Sequence, residues 1–179
     1  MIHLEPRTLF MTDSPTIDAK QFRQVMRKFA TGVTILTVRD GKSIHAMTAN
    51  SFTSVSLDPM LALVCIAKNS TTHEMVSRAE IFAVNILSDA HSAWARRFAH
   101  QVTSPVDPFA DIAHHSAETG SPILDDAIAY LDCQVVAAHD AGDHTIFVGR
   151  VLAAGFGNAS DQEPLLWFNG EYTSLSDKS

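Results

Sequence analysis

The residues best suited to chemistry lie in two short stretches. From Thr48 the chain reads Thr-Ala-Asn-Ser-Phe-Thr-Ser-Val-Ser as far as Ser56, so hydroxyl and amide groups crowd together with little side-chain bulk between them. Small residues of this kind let backbone amides and hydroxyls approach a phosphate, a polyol chain or a planar ring closely. The same composition also fits a polar strand facing solvent. The second stretch is Gly142-Asp143-His144, which sets an imidazole at the start of a strand beside a permissive glycine. Taken alone it is a turn.

Other chemistries lack their residues. Nine histidines invite a metal reading, but His114 and His115 are adjacent and would point to opposite faces of an extended chain; there is no His-Glu-x-x-His sequence and no paired-cysteine spacing. A metal is not expected. No Gly-x-Ser-x-Gly elbow presents a serine nucleophile. The glycine patterns of a Rossmann turn and of a P-loop are missing too, so any nucleotide must be held by a different backbone cradle. The two cysteines, Cys65 and Cys133, sit in apolar runs and read as reduced core thiols.

Whole-chain balance sets the frame. At 179 residues with 46% hydrophobic and 18% charged residues, the chain has the length and apolar content of one folded domain. Thirteen basic against twenty acidic residues leave a formal charge of -7 with no compensating basic patch, which disfavours nucleic acid and anionic membrane surfaces as partners. No apolar run approaches the roughly 18 residues of a membrane span, and no basic segment followed by an apolar core opens the chain, so a cytoplasmic location is expected. Residues 1–17 are polar and unpatterned and read as a flexible tail; residues 18–175 form the domain.

Several elements must position the two stretches. Phe22, Val25, Met26 and Phe29 recur at helical spacing after Asp18 as N-cap, with Gly32 just beyond. Residues 33–38 and 43–49 predict a hairpin turning at Asp40-Gly41. Residues 51–57 continue as a strand until Asp58-Pro59 breaks it, and the apolar run 60–66 predicts a central strand. Ser70-Thr71-Thr72-His73-Glu74 offers a capping box, Thr71 bonding forward and Glu74 reaching back, before a helix ending near Ala79. A strand over 81–87 follows, then a helix capped by Ser88 and carrying Trp94, Arg97 and Phe98, then a loop marked by Pro105 and Pro108. Residues 127–138 and 145–154 read as long strands joined by a turn over 139–144, and 165–168 as a last short strand before Asn169-Gly170. Many strands, short helices and no regular βαβ alternation predict a mainly β fold, an antiparallel Greek-key-like barrel, closed or nearly closed, with peripheral helices.

In this order the segments resemble the flavin reductase-like family with an FMN-binding split barrel, over about residues 22–172. The likeness rests on Phe29-Ala30-Thr31-Gly32-Val33-Thr34, the 48–56 stretch followed by Leu57-Asp58-Pro59, and Phe82-Ala83-Val84-Asn85-Ile86-Leu87. It continues through Arg97-Phe98-Ala99, then Gly142-Asp143-His144 leading into Phe147-Val148-Gly149-Arg150-Val151, and ends on Pro164-Leu165-Leu166. The chain departs from the family at Met60, where a second proline often follows Asp-Pro, and at Trp167-Phe168-Asn169, where many members carry aromatic and basic residues.

The resemblance implies an NAD(P)H:flavin oxidoreductase, a homodimer that passes hydride from NADH or NADPH to FMN or FAD and supplies reduced flavin to a partner monooxygenase. It implies that Thr31, Gly32, Thr48, Ala49, Asn50, Ser51 and Ser54 line the flavin, with Ser54 and Ser56 toward its phosphate end. Ala67, Ser70 and Thr71 would add contacts, Phe98 would come near the cofactor, and Arg97 would pair with phosphate. Gly142, Asp143 and His144 would bind the nicotinamide, with His144 as the catalytic residue. Such a reaction needs no strong protein acid or base, because the two heterocycles carry the electronic work and the protein orients them. Three rivals share the barrel: a non-enzymatic flavin-binding or storage module, an oxidoreductase with tightly held FMN and its own organic substrate, and an enzyme like the pyridoxamine phosphate oxidases.

Overall fold

The computed structural model describes residues 17–99 and 109–176. The tail expected over 1–17, apart from Ile17, and the Pro105 and Pro108 loop lie outside the described residues.

Helix α1 spans Ala19–Met26, and the Asp18 carboxylate accepts from the Gln21 backbone N–H at 2.7 Å, as the sequence predicts for an N-cap. None of its residues is buried, and Phe29 just beyond it is 67% exposed. The spacing is helical, but among the described residues no core covers the apolar stripe. Strand β1 (Thr31–Gly32) follows, then β2 (Thr34–Asp40) and β3 (Ser43–Ala49), a hairpin turning where Gly41 takes φ 60°. Strands β4 (Phe52–Leu57) and β5 (Met60–Ala67) form the next antiparallel pair.

Helix α2 (Thr71–Ala79) begins one residue away from the expected cap: the Ser70 hydroxyl accepts from the His73 N–H, and Thr71 is already helical. Strand β6 (Ile81–Ile86) is followed by a 3-10 turn (Asp89–His91) and helix α3 (Ser92–Phe98). Short strands β7 (His114–Ser116) and β8 (Pro122–Leu124) pair with each other. The long hairpin β9 (Ala129–Ala141) and β10 (His144–Phe156) runs further than expected, since the ladder continues until only Gly142 and Asp143 remain as the turn. Strands β11 (Leu166–Phe168) and β12 (Glu171–Thr173) close the chain around Asn169-Gly170, both at positive φ.

Seven strands make one antiparallel sheet in the order β3-β2-β6-β9-β10-β5-β4, beside a three-stranded sheet β1-β11-β12 and the β7-β8 pair. The mainly β expectation holds, but β5 is one strand in from an edge rather than central. Its apolar run buries only alternate residues, Ala62, Val64 and Ile66. The two edges, β3 and β4, are consecutive in the chain and joined by Asn50-Ser51, and no ladder closes the sheet between them among the described residues. Leu36 and Val38 of β2 nevertheless share one core with Val64 and Ile66 of β5, together with Phe82, Phe147 and Val76 of α2. Strands far apart in the sheet meet across that core, so the sheet bends around it and stays split at the Asn50-Ser51 corner.

Ile35 on the other face of β2, with Val33 just before the strand, enters a second core with Leu87, Phe98, Leu124 and Leu165. The strand is buried on both faces, and its two threonines, Thr34 and Thr37, are buried with their hydroxyls donating to the Ala49 and Pro122 carbonyls. Each large apolar side chain of these cores contributes about 1.5–3 kcal/mol by leaving water. Among the described residues no helix is long and apolar enough to cross a membrane.

Candidate functional site

The split in the sheet is where the hydroxyl-rich stretch lies. At the corner Thr34 Oγ1 donates to the Ala49 carbonyl at 2.8 Å, Thr48 Oγ1 donates to the Ala95 carbonyl of α3 at 2.7 Å, and Ser51 Oγ donates to the Cys65 carbonyl at 2.8 Å. Asn50 Nδ2 donates to Thr31 Oγ1 at 3.2 Å. These bonds tie β1, β2, β3, β5 and α3 to the Asn50-Ser51 corner around the gap.

A cleft of about 580 Å³ opens there. Thr31, Asn50, Ser51, Phe52 and Thr53 line it from the corner, Arg23, Met26, Arg27 and Phe29 from α1 and the residues after it, and Trp167 from β11. A second hollow of about 250 Å³ shares Asn50 and Trp167 and adds Thr48 and Tyr172; a third of about 120 Å³ shares Thr48 and reaches Ser70, Thr71 and Phe98. Thr31 pairs with Trp167 across β1 and β11, and the indole meets the Tyr172 ring edge-on at 5.0 Å. The Arg27 carbonyl accepts from the Asn169 N–H at 2.7 Å and Lys28 Nζ donates to Asn169 Oδ1 at 2.8 Å, so the end of α1 is held on the β11-β12 turn.

The second stretch caps the long hairpin. Gly142 takes φ 69° while Asp143 does not take positive φ, the arrangement of a two-residue turn with glycine first. His144 pairs with Ala67 across β10 and β5, and its Nδ1 lies 2.7 Å from Asp143 Oδ1. That bond, the charge of His144 and then Lys68 hold the Asp143 carboxyl below its ordinary range. A carboxylate only accepts, so Nδ1 carries the proton and Nε2 is left without a hydrogen-bond partner among the described residues. Next to it, His73 Nε2 of α2 lies 2.8 Å from Thr145 Oγ1.

The two stretches share one face of the sheet. Ser51 is bonded to Cys65, Cys65 and Ala67 lie on the same side of β5, and Ala67 is opposite His144. Two residues along and two strands across put the backbones of Ser51 and His144 roughly 12 Å apart.

The remaining expected residues are placed unevenly. Thr31, Thr48, Asn50, Ser51, Ser70, Thr71 and Phe98 line the three hollows, although Phe98 is otherwise a core residue packed on Phe109. Gly32 and Ala49 flank the corner without lining them; Ala49 is buried. Ser54 and Ser56 lie further along β4, opposite Ala62 and Leu61, outside all three. Ala67 sits between the His144 ladder and Ser70, whose hydroxyl donates to its carbonyl at 2.7 Å. The Arg97 guanidinium grips Asp111 with two bonds, of 2.5 and 2.8 Å, which hold that carboxyl below its ordinary range. Gly142, Asp143 and His144 form no part of the hollows' lining.

Sequence reasoning missed Arg23, Arg27 and Tyr172 as lining residues and left Trp167 open. Arginines four apart on a helix share one face, which was the available signal for the first two.

The family described as flavin reductase like domain matches residues 26–176. The NADH-dependent FAD reductase of Streptomyces globisporus is 41% identical over 139 residues, covering 76% of this chain and 76% of that protein. The reductase subunit HsaB of a flavin-dependent monooxygenase from Rhodococcus jostii is 36% identical over 159 residues, 89% of this chain and 79% of its own length. Among solved structures, flavin reductase PheA2 aligns with a TM-score of 0.79 at 41% identity, covering 89% of this chain and 99% of its own. The Streptomyces globisporus NADH:FAD oxidoreductase SgcE6, in complex with NAD and FAD fragments, aligns with a TM-score of 0.81 at 36% identity over 93% of this chain and 99% of its own. The chain belongs to the flavin reductase like domain family, as the order of its segments led us to expect.

Proposed function

We propose that this chain is an NADH-dependent flavin reductase that transfers hydride to FMN or FAD and releases reduced flavin to a partner monooxygenase. The observation that carries the reading is the cleft at the split of the sheet. Its size is that of a cofactor site, and it combines two arginines, the polar side chains of Thr31, Asn50 and Ser51, and the apolar walls Phe29, Phe52 and Trp167. That donor set suits a phosphorylated planar heterocycle: cations for the phosphate, amide and hydroxyl groups for ring edges and polyol, aromatic surface for stacking. A bound flavin supplies the hydride acceptor, and the nicotinamide supplies the hydride.

The protein's part is orientation. Thr31, Thr48, Asn50 and Ser51 hold the flavin at the corner, and Ser70 and Thr71 extend the surface toward His144. Arg97 is clasped by Asp111, whereas Arg23 and Arg27 line the cleft itself and are the cations for the phosphate. His144, its Nδ1 proton fixed on Asp143, presents Nε2 to the nicotinamide from the same sheet face. The uncovered α1 stripe, with Phe22 54% and Val25 64% exposed, supports a homodimer. The location is cytoplasmic.

The test is NADH oxidation followed at the nicotinamide band with both flavin and nucleotide varied. Saturation in both is expected, with reduced flavin released. Flavin binding without NADH oxidation would refute the reading. His144→Ala should raise KM for NADH or slow flavin reduction, and unchanged stopped-flow kinetics in that variant would remove its role.

A further inference from the structure

Gly142-Asp143-His144 sits at the end of a long exposed hairpin, and a two-residue tip of this kind has a soft degree of freedom. Turns with glycine first differ from those with both central residues at positive φ chiefly in the orientation of the peptide joining the two central residues. That peptide's carbonyl belongs to Gly142. Turning it over would swing Asp143, and with it the carboxylate that holds Nδ1 of His144.

Lys68, the residue following β5, grips this tip. Its backbone N–H donates to the Asp143 carbonyl at 3.0 Å, its Nζ donates to the Gly142 carbonyl at 2.6 Å, and the same ammonium pairs with the Asp140 carboxylate. An exposed ion pair such as Lys68–Asp140 contributes little by itself. Here it steers the ammonium onto the turn carbonyl, where a charge-assisted bond is stronger than a neutral one. Both carbonyls of the turn residues thus accept from one lysine just past the end of the neighbouring strand.

We propose that Lys68 is a positioning residue for nicotinamide binding: by fixing the peptide between Gly142 and Asp143 it keeps Asp143 on Nδ1 of His144 and so orients the imidazole. The inference rests on reading this turn as the nicotinamide site. Lys68 acts through His144 and touches neither substrate.

The experiment compares Lys68→Met, which keeps most of the stem but removes the donor, with Lys68→Arg, which restores a cationic donor, and with Asp140→Asn, which frees the ammonium but leaves its bond to Gly142. Three readouts apply: KM for NADH and for flavin separately, NAD+ affinity of the flavin-free protein, and the ring 15N NMR signals of His144. Losing one charge-assisted bond should weaken NADH and NAD+ binding on the order of ten-fold in Lys68→Met. KM for flavin should stay within about two-fold, the spread of ordinary surface changes. The Nδ1–H signal of His144 should weaken, Lys68→Arg should recover most of the loss, and Asp140→Asn should do less than Lys68→Met. Combined with His144→Ala, Lys68→Met should add nothing, because its effect passes through that ring.

Unchanged NADH and NAD+ binding with an intact His144 signal, a rise in flavin KM instead, or a penalty that persists in full without His144 would each overturn the role of Lys68. A parent protein that never oxidises NADH would overturn the functional reading instead, and the NMR comparison still decides whether Lys68 orients His144.

Discussion

A methyl group placed on Gly149 tests how tightly the middle of β10 packs on the core beneath the sheet. Gly149 lies in β10, opposite Ala62 of β5 and Val135 of β9, beside a register shift. A Cβ there would stand 2.6 and 2.8 Å from Cζ and Cε1 of Phe82 and 2.9 Å from Cβ of Cys133. Carbon atoms pack at about 3.5–4.0 Å, so the ring must retreat by roughly 1 Å. It has no room, since Phe82 is fully buried in the core with Leu36, Val64 and Phe147. The backbone at Gly149 is outside the left-handed region, so alanine is conformationally allowed and the penalty is steric. Overpacking costs about 1–3 kcal/mol, and reduced freedom of the unfolded chain offsets about 0.4–1 kcal/mol of it. A fixed, fully buried ring puts the cost in the upper half of that range, so the net loss of about 1–2.6 kcal/mol lowers the melting temperature by roughly 2–10 °C in a chain of this length. Calorimetric melting of Gly149→Ala, Phe82→Leu and the double variant measures it: trimming the ring should return part of the loss, a coupling of at least about 0.5 kcal/mol between the two sites. An alanine variant that melts at or above the parent, or strict additivity with Phe82→Leu, would refute the steric argument.

Two further outcomes follow from the buried titratable groups. Burial, with Asp132 beside it, pushes the Cys133 thiol up to about 12, and burial also raises Cys65; in a thiol titration Cys133 should react only on unfolding and Cys65 slowly, and rapid modification of both in the native protein would contradict the packing. Burial holds His91, stacked on Trp94 at 4.0 Å, below its ordinary 6.5, against the opposing pull of Asp126 and Asp89. A depressed folded value means that the unfolded chain binds more protons in the window just below 6.5; stability is fully present above 6.5 and falls with pH through the lowered value. His91→Gln should flatten that limb of the stability curve, and an NMR midpoint for His91 at or above 6.5 would count against it.

The hairpin of β2 and β3 was legible because its signals are local, an Asp-Gly pair between two strand-like runs, although the ladder carries β2 on to Asp40, opposite Ser43, and leaves Gly41-Lys42 as the turn. The cap of α2 was legible only to within a residue, since Ser70 and Thr71 both carry hydroxyls and only backbone geometry decides between them. For α1 the spacing of Phe22, Val25, Met26 and Phe29 gave the helix and its apolar face. What covers that face is not encoded in spacing, and nothing among the described residues buries it. Strands β1, β7, β8 and β12 are two or three residues long, too short for any period to register.

The candidate site divides along the same line. Thr48, Asn50 and Ser51 stood out because the corner between β3 and β4 is one continuous stretch whose small polar residues are neighbours in sequence as well as in space. Its walls are assembled otherwise. Trp167 reaches the cleft only through the pairing of β11 with β1, and Arg23 and Arg27 only because Lys28 and the Arg27 carbonyl bind the Asn169 turn. Arg97 shows the converse: its family segment singled it out as an anion partner, but the fold brings Asp111 onto its guanidinium and pairs that charge at the surface. A charge is available to a ligand only after the fold has chosen its neighbours. The long-range contacts that make those choices, the Asn169 turn on the end of α1 and Asp111 on Arg97, therefore set which cations this site offers.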